Sequence, residues 1–516
     1  MSGTCACISR EALRLYEQCN VEKEMIMSLG AFNPTSELSE NVRTRFYIDG
    51  VWRSPAGSER FDLISPMTEE LTMSVPAGSE ADMNAAITAA RRAFDKSDWP
   101  HLPPSERARY MLRIAEELDK RTALLKRVWT AQVGAPQFFV ELSTSMAAEQ
   151  FRYYAGMAES YPFEEEREAL QGRVNILREA VGVSALIIPW NTPLVLLTGK
   201  AAPAMLAGCT MVVKPSPETP LDALILAECV AAAGVPAGVF NVVPAGREVG
   251  NTLISDPRVD KVSFTGSTDA GRHIAKVCAD RIARVSLELG GKSASILCDD
   301  ADIDSWTQHV ALLTMPFSGQ ICFSQTRVLV PESRHDQFLD AYVAKIESFK
   351  VGDPWDPEVL VGPVSIARQR ERVLDYIALG RAEGAKVVIG GGKVPGFNRG
   401  YYVEPTIFDG VDNSMRIARE EIFGPVVSVI SYRSDEEAIA IANDSDYGLS
   451  GSVFSADLER GKRIARHIRT GHIGVNTFAV DYTAPFGGYK KSGLGREAGP
   501  EGLAGFLETK SMFLPA

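Results

Sequence analysis

From residue 181 onward the chain alternates short apolar runs with longer stretches of helical periodicity. Residues 181–188 form a run of small and β-branched side chains ended by Pro189, and 210–214, 239–243 and 261–264 repeat the pattern. Runs of this length, bounded by Gly, Pro and Ser, predict buried strands. Residues 200–207, and the stretch after Pro220 through 232, predict helices between them. Strand–helix alternation of this kind predicts a parallel α/β sheet. Ligands of such sheets sit beyond the carboxyl ends of the strands, and Asn191, Lys214 and Gly266 fall there.

Upstream, residues 46–52 read as a hairpin turning at Asp49-Gly50. Residues 81–94 predict an amphipathic helix capped by Ser79 or Asp82, with further helices over 104–118 and 124–133. Residues 11–29 carry rough helical periodicity that Asn33-Pro34-Thr35-Ser36 breaks, so 1–43 reads as an extension. Past Glu288 the alternation restarts. Strands are expected over 293–297, 325–330, 386–389, 452–454 and 473–476, and helices over 303–315, 335–349, 366–383, 435–443 and 458–468. That is a second α/β domain.

Composition narrows the function classes. A chain of 516 residues exceeds one ordinary core and implies two large domains. Hydrophobic content of 45% with 23% charged residues is that of a globular protein. A net charge of −12 argues against binding nucleic acid or an anionic membrane through bulk charge. Eight scattered cysteines form no CxxC pair, which points to a reducing, cytoplasmic setting. The six histidines are dispersed, so no metal site is expected. The longest apolar run is interrupted by Pro189, Asn191 and Pro193 and is no membrane span. No secretory signal is expected at the N-terminus.

The candidate chemistry centres on Cys322. An isolated cysteine is ordinarily core filler, and as a nucleophile it needs a lowered pKa or a nearby base. Glu288 stands at a strand end before Gly290-Gly291, where it could deprotonate water or the thiol; alone it reads as a surface acid near a turn. Asn191 could donate its amide to a developing oxyanion or simply cap the following helix. The turn at Gly266 and Ser267 opens a helix and suits a phosphate, but it lacks G-x-G-x-x-G and the Lys of a P-loop.

Together these signals match one family in order and spacing. The motifs are Pro189-Trp190-Asn191, Lys214-Pro215-Ser216, Phe264-Thr265-Gly266-Ser267, Glu288-Leu289-Gly290-Gly291, Gly319-Gln320-Ile321-Cys322, Glu421-Ile422-Phe423-Gly424-Pro425 and Pro485-Phe486-Gly487-Gly488. From about Arg45 to Leu514 the sequence resembles the aldehyde dehydrogenase superfamily. The resemblance implies an α/β architecture with a Rossmann-like cofactor-binding domain (44–160 and 180–288), a second α/β catalytic domain (289–484) and a small antiparallel β oligomerisation element (161–179 and 485–516).

It also implies that Cys322 attacks the aldehyde carbon and forms a thiohemiacetal, held by the Asn191 amide. Hydride transfer to NAD(P)+ then leaves a thioester that Glu288-activated water hydrolyses to the free acid. Relatives that pass the acyl group to coenzyme A usually lack this glutamate. That acylating chemistry, and a silent structural relative, are the alternatives.

For the cofactor, the resemblance implies contacts from Ile188, Pro189, Trp190, Lys214, Ser216, Glu218, Gly266, Ser267, Leu289, Glu421 and Phe423. Many NAD-preferring relatives place Glu three residues after the lysine. Here that position is Pro217 and Glu218 follows, so NAD is expected with NADP as the alternative. Thr192 and Gly199 stand where several relatives carry aromatics, which implies a roomy tunnel, walled by Phe317, Ile321, Phe323, Phe478 and Phe486. With Arg327 matching a structural arginine, an apolar aliphatic or aromatic aldehyde is expected. A homodimer or homotetramer is implied, with no nucleic-acid or membrane partner.

Overall fold

The computed structural model describes residues 32–515. Asn33, expected to break a helix, instead caps one. Its side chain accepts the Thr35 N–H ahead of the helix Pro34–Glu37, whose first position is a proline. Leu38 and Val42 of the following residues join the first hydrophobic core, and Arg127 Nε grips Glu37 at 2.7 Å. The end of the expected extension is therefore packed into the domain. The periodicity over 11–29 lies outside the described residues.

Strands β1 (Phe46–Ile48) and β2 (Val51–Arg53) form the expected hairpin, with Asp49 and Gly50 left-handed at φ 61° and 73°. Two positive φ values in a row are what a two-residue turn between twisted strands requires. A second hairpin, β3 (Arg60–Ile64) with β4 (Leu71–Pro76), is absent from the expectations, although it alternates apolar and polar side chains and buries Leu63 and Val75. The helix Glu80–Lys96 starts at Ser79, which forms a reciprocal capping box with Asp82.

Strands β5 (Glu164–Glu168) and β6 (Arg173–Ala180) lead into the first large sheet, which holds β7 (Val183–Ile187), β8 (Thr210–Lys214), β9 (Phe240–Val242), β10 (Lys261–Thr265) and β11 (Arg284–Glu288) in parallel. Val183, Ala185 and Ile187 enter one core and Leu186 the other, so the sheet is covered on both faces, as parallel sheets require. The helix Pro193–Ala207 begins seven residues before the expected start at 200, because Pro193 fits its first turn.

The second large sheet runs β14-β15-β16-β13-β12-β17-β18. Its strands are β12 (Ala294–Leu297), β13 (Arg327–Pro331), β14 (Lys386–Ile389), β15 (Thr406–Asp409), β16 (Val426–Tyr432), β17 (Gly451–Phe454) and β18 (Gly474–Val475). β15 and β16 are central strands that the sequence reading does not contain. β19 (Gly493–Leu494) pairs antiparallel with β11, placing Gly493 opposite Glu288. This corrects the expected 485–516 element: of that span only β20 (Leu507–Leu514) joins the three-stranded antiparallel sheet, pairing with β6, which in turn pairs with β5. Glu288 ends β11 and β12 begins at Ala294, so the short connection between them crosses from one sheet to the other.

Candidate active site

Cys322 lies in the loop ahead of β13. That loop enters through a left-handed turn: Phe317, Ser318 and Gly319 have φ of 45°, 54° and 73°. A left-handed non-glycine residue costs on the order of 1–2 kcal/mol. Phe317 offsets this by burial, stacking on Phe139 at 5.9 Å and meeting Trp129 edge-on at 6.4 Å; each such aromatic pair contributes about 0.5–1.5 kcal/mol beyond its buried area. Ser318 Oγ donates to Gly362 O at 2.9 Å. Gly319 has no freedom to be anything else, since a Cβ there would sit 2.1 Å from Gly424 O. Burial pushes the Cys322 thiol pKa up, and the Glu421 and Glu288 carboxylates push it further.

Asn191 follows β7, two residues beyond Pro189. It is 5% exposed. Its Nδ2 donates to Gln320 O at 2.9 Å and its own carbonyl accepts the Trp129 indole N–H at 2.8 Å. A carboxamide nitrogen carries two N–H bonds, so one remains after Gln320 is satisfied.

Glu288 is 3% exposed, and neither carboxylate oxygen has a hydrogen-bond partner. A buried, unpaired carboxyl resists ionisation. Its pKa lies well above the usual range, through burial and then through Glu497, while Lys200 and Arg496 pull it back. Lys200 Nζ donates to Glu497 Oε1, and Lys200 is fully buried. The sequence reading misses both residues. Lys200 did leave a signal, as the one charged side chain in the apolar helix Pro193–Ala207.

Glu421 Oε1 accepts the Gly291 N–H at 3.1 Å. A Cβ on Gly290 would stand 2.2 Å from Glu421 Oε2, so the two motifs touch only because that residue is glycine. Burial raises the Glu421 pKa to about 7. The loop after it is pinned from the helix Ala367–Ala382, where Gln369 Nε2 donates to Ile422 O and Phe423 O and Arg372 to Glu421 O. Phe423, left-handed at φ 62°, meets Trp190 edge-on at 5.5 Å.

At the ends of β8 and β10, Lys214 Nζ donates to Ala245 O at 2.8 Å and Pro215 O at 3.2 Å, and burial lowers its pKa to about 8. Glu218 is already engaged: one oxygen accepts from Ser216 and the other from Arg368. Gly266 N donates to Glu288 O at 3.0 Å, and Ser267 caps the helix Thr268–Asp280. Ile188 and Leu289 are buried, Leu289 against Gly271.

The expected tunnel residues gather around two centres that Phe323 joins. Phe478 and Phe486 lie beside His472, and Phe323 lies 5.3 Å from Phe478 while packing against the cluster that holds Phe317 and Ile321. Burial lowers the His472 pKa. Ile321 and Phe317 instead sit in the buried cluster with Trp129. Phe317 is 2% exposed and faces that cluster rather than open space. Gly199 does not open a void either, because a Cβ there would stand 3.3 Å from Gln150 Nε2. Thr192 is half-buried at the head of its helix. Arg327, 2% exposed, spends its guanidinium on Lys292 O, Asn413 Oδ1, Ile441 O and Ala442 O.

The model of the family described as the aldehyde dehydrogenase family matches residues 52–512. Geranial dehydrogenase of Castellaniella defragrans is 44% identical over 91% of this chain and 98% of its own. The 3-succinoylsemialdehyde-pyridine dehydrogenase of Pseudomonas sp is 42% identical over 90% and 98%. A crystal structure of Mycobacterium tuberculosis aldehyde dehydrogenase complexed with NAD+ superposes with TM-score 0.90 at 43% identity, over 92% of this chain and 98% of that one.

Proposed function

The chain belongs to the aldehyde dehydrogenase family, and we propose that within this chemistry Cys322 is the nucleophile, Asn191 the oxyanion donor and Glu288 the base that yields a free carboxylic acid. One observation carries the reading: the Asn191 amide donates to Gln320 O at 2.9 Å in the loop of Cys322, and the turn that follows Glu288 packs on that loop so closely that a Cβ on Gly291 would stand 2.7 Å from Cys322 O.

Because burial disfavours the Cys322 thiolate, the thiol proton leaves as the S–C bond forms, and Glu288 in its ionised form, with no competing hydrogen bond, is the acceptor. The carbonyl oxygen becomes the oxyanion of a thiohemiacetal, which the second Asn191 N–H meets. NAD(P)+, when bound, supplies the hydride acceptor. Between the halves Glu288 must give the thiol proton up to solvent, the one proton the overall oxidation releases. Ionised again, it takes a proton from the water that attacks the Cys322 thioester, the acid leaves, and the Cys322 thiolate regains its proton from Glu288. Glu288 is also why hydrolysis is favoured over transfer to coenzyme A.

The residues fit a dinucleotide. The helix Thr268–Asp280 turns its positive end toward the β10 terminus, where Thr265 Oγ1 is buried without a partner, and a diphosphate would satisfy both. Lys214 has one N–H left after two carbonyls, suited to an adenosine ribose, and Glu421 would hold the nicotinamide ribose. Ile188, Pro189, Trp190, Ser216, Gly266, Ser267, Leu289 and Phe423 complete that surface. NAD is the favoured cofactor, as for the mycobacterial neighbour. The engagement of Glu218 by Arg368 leaves NADP use open.

For the substrate we favour an apolar aldehyde, entering past Phe323, Phe478 and Phe486, with half-buried Thr192 as a further wall. Arg327 is buried and spends four of its five N–H donors on protein acceptors, so it is not placed to clamp a carboxylate. The relatives' names, one for geranial and one for a pyridine-bearing semialdehyde, support a channel without charge selection. The cofactor domain would span 44–160 and 180–288, and the catalytic domain 289–484.

A homo-oligomer formed through the β20-β6-β5 sheet fits the exposure of Phe513 (72%) and Met512 (40%). Among the described residues no helix is long and apolar enough to cross a membrane, and the five described cysteines are free thiols, which supports a cytoplasmic setting.

The test is turnover of a panel of aldehydes, followed by reduced-cofactor absorbance and acid product, with Cys322→Ala alongside. Activity that survives in Cys322→Ala would overturn the assignment of the nucleophile, and product formed only with added coenzyme A would overturn hydrolysis.

A further inference from the structure

Four hydrogen bonds close a ring around the nucleophile loop, and the ring begins and ends on one helix. From the helix Thr122–Val133, the Trp129 indole donates to Asn191 O at 2.8 Å. Asn191 Nδ2 donates to Gln320 O at 2.9 Å. The Gln320 side-chain oxygen accepts the Ser365 N–H at 2.9 Å, and Ser365 Oγ donates to Val133 O at 2.9 Å, back on the helix that carries Trp129. Trp129, Asn191 and Gln320 are all buried.

The same indole is also a wall of the left-handed turn. Its ring meets Phe317 edge-on and Phe139 at 5.6 Å, in the cluster that includes Ile321, the residue before Cys322. One side chain therefore fixes the Asn191 peptide through its N–H and the entry to the nucleophile loop through its ring. An indole N–H buried beside phenyl rings has a strong preference for such a carbonyl, since an unmatched donor there costs about 1–3 kcal/mol.

We propose that Trp129 is a positioning residue for the aldehyde chemistry, setting the spacing between the Asn191 amide and Cys322 through this ring of hydrogen bonds. The inference rests on the reading of Asn191 as the oxyanion donor. Trp129 touches no reacting atom itself. Its effect falls on the transition state, where an ångström of misplacement costs up to about 100-fold in rate, and not on binding of the aldehyde.

The experiment compares the full-length enzyme with Trp129→Phe, Ser365→Ala, Asn191→Ala and the double variant Trp129→Phe/Asn191→Ala. Trp129→Phe keeps an aromatic ring and removes the donor; Ser365→Ala opens the ring at its far side with little change in packing. Three quantities are read: kcat and KM for one aldehyde, melting temperature, and the rate of Cys322 alkylation by iodoacetamide, which needs no oxyanion donor. Trp129→Phe is expected to lower kcat about tenfold, and Ser365→Ala several-fold. KM should stay within about twofold and alkylation should be unchanged, because the thiol is untouched. The double variant should be no slower than Asn191→Ala alone, because the two act on one interaction.

Unchanged kcat in both Trp129→Phe and Ser365→Ala overturns the proposal. So does a loss in the double variant equal to the product of the single losses, or a fall in alkylation that matches the fall in kcat, which would mark Trp129 as packing alone. If Trp129→Phe does not fold, Ser365→Ala decides by the same criteria. If Asn191→Ala retains full kcat, the oxyanion reading itself fails and the proposal falls with it, a result distinct from the others.

Discussion

Lys200 donates to Glu497 inside the protein, and this ion pair lies behind Glu288, whose two oxygens have no hydrogen-bond partner. The pair sets the charge that Glu288 feels: Glu497 raises its pKa and Lys200 lowers it. Neither residue belongs to a motif that drew attention in the sequence, yet together they tune the proposed base.

Opposite substitutions should move the pH profile in opposite directions. Glu497→Gln removes a negative neighbour, so the Glu288 pKa falls and the limb on which activity rises with pH shifts to lower pH. Lys200→Met removes the cation and shifts it to higher pH, with a stability loss of about 3–5 kcal/mol from breaking a buried pair. Profiles of kcat against pH for the three proteins check this; coincident midpoints would detach the limb from Glu288.

Glu288→Gln should remove the base from both halves of the reaction. Both the first equivalent of reduced cofactor and the steady turnover should be slowed, by about 100- to 10,000-fold, the range for loss of a general base. A full, fast burst of reduced cofactor followed by slow turnover would take Glu288 out of the first half and leave the thiol proton to another acceptor.

Gly319→Ala tests the left-handed entry to the nucleophile loop. The new Cβ meets the Gly424 carbonyl at 2.1 Å, and φ of 73° adds strain of on the order of 1–2 kcal/mol. The expected result is a kcat loss of about 100-fold or more with the fold retained, measured as activity alongside circular dichroism. Near-normal turnover would mean the loop can re-form another way.

Asp222 provides a stability prediction outside the site. Burial raises its pKa to about 7 while Gln132 Nε2 donates to it at 2.7 Å. Its folded pKa thus exceeds the unfolded value of about 3.9. The folded state holds the extra proton, so this contribution is fully present below about pH 3.9 and is lost as pH rises toward 7. Asp222→Asn lacks that loss. Denaturant titrations should show the variant gaining up to about 4 kcal/mol on the parent between pH 4 and pH 7.5; a constant difference would mean Asp222 stays ionised throughout.

Glu218→Gln addresses cofactor choice. If its carboxylate repels a 2′-phosphate, kcat/KM with NADP+ should rise about tenfold and that with NAD+ should change little, as expected for one weakened charge contact of about 1.4 kcal/mol. An unchanged ratio would show that Arg368 already neutralises it.

The hairpin at Asp49-Gly50, the strands from β7 to β10 and the helix starting at Ser79 were legible because each depends on residues adjacent in sequence: a turn dipeptide, a β-branched run, a cap. β15 and β16 were not, since their burial pattern has the same form as a helix segment until neighbouring strands pair with them. β19 was misread because two residues have no periodicity, and only Leu287 and Glu288 across the sheet make them a strand.

At the site the division follows the same line. The sequence by itself determined the family and the fold class and singled out Cys322, Glu288 and Asn191 as the proposed catalytic groups, because these sit in contiguous motifs whose chemistry can be named from residue type. Tertiary structure alone decided that Phe317 turns inward to Trp129, that Gln150 covers Gly199, and that Lys200, Glu497 and Trp129 surround the proposed catalytic groups. Lys200 and Glu497 are 297 positions apart and Trp129 and Asn191 are 62 apart. A hydrogen bond depends on distance in space, and no local pattern in the chain encodes it.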